Sequence, residues 1–168
     1  MSFGVNTFQK YRDDSGLGHN GVAVSLNYYD GLPESSLLNS LSSNELKLIF
    51  KSLMKRDDTT KEKALNELMG LVEHYDHNSF LFDDIMLLCW SQLYAKLCMS
   101  ELKYIRLVCQ QVTLGIITKM RKSVAKYFKD LIPFVLLGTC DTDSAVARLC
   151  ATGIKTCFND DEDKVTAL

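Results

Sequence analysis

From Leu46 onward the apolar residues recur with a period of 3.6. Leu46, Ile49, Phe50, Leu53 and Met54 form one stripe. Ala64, Leu65, Leu68, Met69, Val72 and Tyr75 form a second. The third is Ile85, Leu88, Cys89, Leu93 and Leu97, widened by Trp90 and Tyr94. The fourth runs through Ile105, Val108, Cys109, Val112, Ile116 and Met120, and the fifth through Val124, Tyr127, Phe128, Leu131, Ile132, Val135 and Leu136. Val146, Leu149, Cys150, Ile154, Cys157 and Phe158 make the sixth. Each stripe predicts an amphipathic helix that buries one face. No alternating strand pattern follows residue 43.

Polar residues fall where these helices should start and stop. Ser42 with Glu45, and Thr59 with Glu62, have the spacing of capping boxes. Ser100 and Asp143 are placed to take up free backbone N–H groups as N-caps, and Gly138 suits a helix C-terminus. Pro133 sits inside the fifth stripe, which continues past it, so the helix is expected to bend there and not to end.

The helices come in pairs, and the pairs repeat. "DDTTKEKALNEL" (57–68), "MSELKYIRLVCQQV" (99–112) and "DTDSAVARLCATGI" (141–154) each open with polar capping residues, then a basic residue, then an apolar stripe. Lys63, Arg106 and Arg148 align at spacings of 43 and 42 residues. That period belongs to helical repeats of the HEAT and armadillo type, whose pairs stack because one pair cannot bury its own apolar face. The predicted fold is all-α: a solenoid of about three HEAT/armadillo-like helix pairs over residues 43–158. Residues 159–168 read as a cap and the first turns of a further helix, as in the N-terminal piece of a longer solenoid.

Residues 1–42 differ. Five of the nine glycines lie here and no helical period runs through them. Phe3, Phe8, Tyr11, Tyr28 and Tyr29 make the segment too aromatic for a generic disordered tail. It reads as an irregular N-terminal arm that packs its aromatics on its own chain or also docks on a partner.

Composition narrows the chemistry. The 168 residues carry 19 basic and 21 acidic side chains, a formal charge of −2, so nucleic-acid binding would have to come from local patches. The six cysteines show no C-x-x-C spacing and several lie on apolar helix faces. Buried free thiols in a reducing compartment fit that pattern, with a zinc site or disulfides as the alternative. "MSFGVNTFQKYRDD" lacks the order of a secretory signal, and no apolar run is long enough to span a membrane. A cytoplasmic or nuclear location is expected.

Motifs for catalysis are weak. "GLGHNG" (16–21) has the G-x-G-x-x-G form but neither the preceding strand nor the following helix of a phosphate loop. "EHYDH" (73–77) brings His74, Asp76 and His77 together without a further ligand, and a polar helix end explains it. No cofactor, metal or catalytic residue is expected in this chain. Two basic clusters remain: Lys55, Arg56, Lys61 and Lys63, and Lys119, Arg121, Lys122, Lys126 and Lys129. Each is a solvated helix face or a means of tracking a phosphate backbone.

"LKLIFKSLMKRDDTTKEKALNEL" (46–68) resembles the first helix pair of the listerin family, RING-type E3 ubiquitin ligases of ribosome-associated quality control. In that family a basic-Asp-x-Thr-Thr-Lys-x-Lys-Ala string joins the first two helices. Arg56, Asp57, Thr59, Thr60, Lys61, Lys63 and Ala64 match it. "LCWSQLYAKL" (88–97), "KSVAKYFKDLIPFVLLGTCDTD" (122–143) and the arm, with "MSFGVNTFQ" and "NYYDGLPESSLLNSL", extend the likeness over essentially the whole chain, most closely to fungal forms.

The resemblance implies a non-catalytic docking domain that recruits the ligase to stalled 60S ribosomal subunits, through rRNA or ribosomal protein, beside a partner that recognises peptidyl-tRNA. The ubiquitin-conjugating E2 would be engaged only by a C-terminal RING that this chain lacks. The expected contact residues are Arg56, Thr59, Thr60, Lys61 and Lys63. Lys119, Arg121 and Lys122 of the second cluster and Phe3, Asn6 and Phe8 of the arm are the secondary set. The rival expectation is a HEAT-type scaffold that grips a protein or peptide without RNA.

Overall fold

The computed structural model describes residues 33–74 and 82–158. The arm contacts Phe3, Asn6 and Phe8, the "GLGHNG" turn, most of "EHYDH" and residues 159–168 lie outside the described residues. The described helices are α1 (Ser35–Asn39), α2 (Asn44–Leu53), α3 (Asp58–Glu73), α4 (Asp84–Leu97), α5 (Lys103–Met120), α6 (Phe128–Gly138) and α7 (Ser144–Cys157). A 3₁₀ segment, Arg121–Tyr127, joins α5 to α6. No strand occurs among the described residues.

The pairs α2/α3, α4/α5 and α6/α7 stack into two layers, giving the all-α helical-repeat fold that the period predicts. α5 lies between α3 and α7 in one layer, and α4 packs on α6 in the other. α5 is therefore covered on both flanks as well as beneath, and ten of its residues are buried. Its burial extends beyond the apolar stripe to Gln110 and Thr113. The helices of its layer approach closely because of glycines. A Cβ on Gly115 would stand 2.8 Å from Val72 Cγ1 of α3, and one on Gly153 would strike Leu114.

The core contains a connected polar chain between the layers. Trp90 Nε1 donates to Thr113 Oγ1 at 3.1 Å, and that hydroxyl donates to the Cys109 carbonyl. The Tyr94 hydroxyl donates to Gln110 Oε1, whose amide nitrogen donates to the Phe134 carbonyl. Gln110 and Thr113 are at most 1% exposed, so each polar atom needs its partner. Trp90 stacks on Tyr94, and Tyr94 meets Phe134 edge-on.

Several local expectations shift. Ser43, one residue beyond Ser42, caps α2 by accepting from Glu45 N. The α3 cap is Asp57, not Thr59: its carboxylate accepts from both the backbone N–H and the hydroxyl of Thr60. A carboxylate is the stronger acceptor and starts the helix two residues earlier. Asp143 caps α7 as expected, accepting from Ala145 N and Val146 N. Ser100 only braces the turn before α5, its hydroxyl accepting from Leu102 N. Gly138 ends α6, but the chain leaves it with ordinary helical angles at Thr139. Its use is close approach, because a Cβ there would lie 2.5 Å from Cys150 Sγ and 2.8 Å from the Gln110 amide nitrogen.

The stripe on α4 is rotated from the one read in the sequence. Met86 and Leu87 are buried, while Ile85 and Leu88 are half-buried. α1 adds a turn within the stretch read as irregular and buries Leu38, with Leu41 just after it. The fifth stripe splits into the 3₁₀ segment and α6. Arg121 makes the break, at φ 41°, and no glycine or proline is involved. Helix α6 continues through Pro133.

Candidate functional site

The layer α3, α5, α7 fixes where the charged residues go. Val72 meets Gly115, Leu114 meets Gly153, and Arg106 reaches Asp141, so the three helices run parallel. Their N-termini share one edge with the turns inside each pair, 54–57, 98–102 and 139–143. Their C-termini share the opposite edge with the links between pairs. The two basic clusters therefore lie on opposite edges, separated by the length of α5, about 27 Å at 1.5 Å per residue.

On the first edge, Lys55, Arg56, Thr59 and Lys63 are exposed. Thr60 and Lys61 are partly withdrawn. Thr60 gives both its donors to Asp57, and Lys61 Nζ lies 2.8 Å from Asp58 Oδ1. These hydrogen bonds hold the Asp57 carboxyl below its ordinary value, the Thr60 hydroxyl contributing most. Lys96, at the end of α4, adds a cation that the sequence reading passed over. Burial first, then the Lys61 charge, lowers its pKa. The capping carboxylates thus occupy the α3 N-terminus and hold Lys61, while Lys55, Arg56 and Lys63 face solvent and form no ion pair among the described residues.

Further along the same edge is a concavity of about 280 Å³ between the second and third pairs. Met99, Phe134, Leu137 and Cys140 line it, with Arg106 and Asp141 at one side. Met99 is 62% and Leu137 52% exposed, and Leu102 and Tyr104 are exposed close by in the chain. Arg106 pairs with Asp141 at 2.7 and 2.9 Å and donates to the Ser100 and Glu101 carbonyls. Among the described residues Lys63, aligned with it, forms no such pair, and Arg148 donates to the Ser144 carbonyl in its own helix.

The second cluster divides differently. Lys119 donates to the Val72 and Glu73 carbonyls and so caps the C-terminus of α3. Lys126 pairs with Asp84, which raises its pKa. Arg121, Lys122 and Lys129 are exposed. His74 Nδ1 lies 2.8 Å from the Gly70 carbonyl, as a histidine at a helix end should. Among the described residues no group of three His, Cys, Asp or Glu side chains could hold a metal ion.

Residues 41–168 match the family model of the E3 ubiquitin-protein ligase listerin N-terminal domain. The chain belongs to the listerin family. It is 57% identical to listerin of Saccharomyces cerevisiae over its whole length, covering 11% of that relative. It is 33% identical to the Neurospora crassa listerin over 59% of this chain and 6% of the relative. With the Caenorhabditis elegans listerin it shares 30% identity over 89% of this chain and 11% of the relative. The chain thus spans about a tenth of the length of the listerins it matches. The "KRDDTTKEKAL" string of the listerin resemblance is the first-edge turn: Asp57 closes the cap, Asp58 holds Lys61, and Arg56 and Lys63 stand outside.

Proposed function

We propose that this chain is a non-catalytic docking domain of a RING-type E3 ubiquitin ligase and carries it to stalled 60S subunits, in the cytoplasm, for ubiquitination of nascent chains. The first edge makes the contact, through Lys55, Arg56 and Lys63, with Thr59 as a neutral donor. The observation that carries this reading is their exposure without an ion pair among the described residues, beside Lys61, Lys119 and Lys126, which are each engaged within the fold. Cations held on a scaffold edge suit the phosphate backbone of rRNA. A RING elsewhere in the full-length protein recruits the E2.

Co-sedimentation with stalled 60S particles tests it. Changing Lys55, Arg56 and Lys63 together to Glu abolishes pelleting, while the same change at Lys122 and Lys129 does not. Retained binding by the first-edge variant overturns the assignment. A second reading is favoured by the Met99–Leu137 concavity: a protein partner, such as the one that recognises peptidyl-tRNA, seats there without RNA. Binding of that kind persists as salt rises, whereas phosphate contacts weaken steeply.

A further inference from the structure

The second edge carries charge that the proposed docking does not use. The connector Arg121–Tyr127 is a 3₁₀ helix, in which side chains at i and i+3 eclipse. Ser123 therefore stands directly in line with Lys126. Val124, 1% exposed, pins the connector to the core, and Ser123 beside it is exposed. The connector is fastened to the start of α4 by two contacts. Lys126 pairs with the Asp84 carboxylate, and the Tyr127 hydroxyl donates to the Asp84 carbonyl at 2.9 Å. Cations stand two and one residues before Ser123 (Arg121, Lys122) and three and six after it (Lys126, Lys129). The next carboxylate along the chain is Asp130.

We propose that Ser123 is a phosphorylation site for a serine kinase that reads basic residues on both sides of its target, and that the phosphate takes Lys126 away from Asp84. In the transfer, Ser123 Oγ bonds to the γ-phosphorus of Mg-ATP. The bond from that phosphorus to the bridging oxygen breaks, ADP leaves, and the hydroxyl proton passes to the kinase's base. The product carries a charge of about −1.5 to −2 and three acceptor oxygens. Lys126 is already in line with it, and Arg121 and Lys122 precede it. The Asp84 side chain, 65% exposed and singly charged, competes poorly for the same ammonium. A kinase must draw its substrate into an extended form. This connector can open around Ser123 once its contacts to Asp84 part, since 3₁₀ hydrogen bonds are poorly aligned and Arg121 already sits at positive φ. Phosphorylation so converts a link that fastens two helix pairs into one that releases the first turn of α4.

The test incubates the intact chain with a purified basophilic serine kinase and Mg-ATP, maps phosphate by mass spectrometry and follows amide exchange. Phosphate is expected on Ser123 and is lost in Ser123→Ala. Incorporation slows at least tenfold when Arg121 and Lys126 are both changed to Glu. Exchange in residues 84–88 rises at least threefold on phosphorylation, and unphosphorylated Lys126→Gln shows the same rise. Absence of phosphate on Ser123, while a peptide of residues 118–130 is modified, overturns the site. Phosphate on Ser123 with unchanged exchange in α4 overturns the switch of partner.

Discussion

Arg106 and Asp141, 35 residues apart, form a two-pronged ion pair that ties the turn of the second helix pair to the turn of the third. The side chains are 14% and 10% exposed, so solvent screens the pair little. The guanidinium also takes up two backbone carbonyls of its own turn.

Arg106→Ala should destabilise the chain by about 2 kcal/mol at pH 7, the range for hydrogen bonds to charged groups. The Arg106 hydrogen bond holds the Asp141 carboxyl below its unfolded value of 3.8. The pair's contribution is therefore complete above about pH 4 and fades as pH falls through the lower, folded value. Urea titrations should show the largest difference between the two proteins near pH 7, and the difference should shrink as pH falls below about 4 to the part held by the Ser100 and Glu101 carbonyls.

Two glycine-to-alanine changes should move stability in opposite directions. Gly138→Ala drives a Cβ against Cys150 and the hydrogen-bonded Gln110 amide, costing about 1–3 kcal/mol. Gly70 lies within α3 with nothing within 4 Å of an added Cβ, so Gly70→Ala should stabilise by about 0.5–1 kcal/mol. Thermal unfolding of both variants decides it.

The cap assignment is tested by exchange in the first turn of α3. Asp57→Ala should raise the exchange rate of the Thr60 amide, which that carboxylate now accepts from. Thr59→Ala should leave it unchanged, since that side chain is exposed and plays no part in the cap.

Thiol labelling should separate the cysteines by depth. Burial pushes Cys89 and Cys150 up to about 11 and Cys98 to about 12. Their thiolate fractions near neutral pH are very small. Cys140 is exposed and should alkylate first in the native chain, with the four buried thiols reacting only after unfolding. Mass spectrometry of a labelling time course reads the order.

The helices were legible because burial repeats every 3.6 residues, and Leu46, Ile49, Phe50 and Leu53 all lie in the core. Cap positions were less so. Asp57, Thr59, Ser42 and Ser43 are all competent acceptors within two residues of a boundary, and the choice depends on the angle at which the chain enters. The alignment of Lys63, Arg106 and Arg148 was visible, but among the described residues only Arg106 of the three forms an ion pair, and that contact reaches into the next repeat. The same holds for the basic clusters. Sequence placed Lys119 beside Arg121 and Lys122, yet only the packing of α5 against α3 turns Lys119 onto the Val72 and Glu73 carbonyls. The Met99–Leu137 concavity had no local signature, since its walls come from the turn after α4, from α5 and α6, and from the turn before α7.

The parallel run of α3, α5 and α7 has a mechanical consequence. The first edge is joined to the second by three continuous helices, of which α5 is buried along its length. The domain therefore acts as a rigid gauge block. Two bodies that grip its opposite ends are held about 27 Å apart and are oriented by the block.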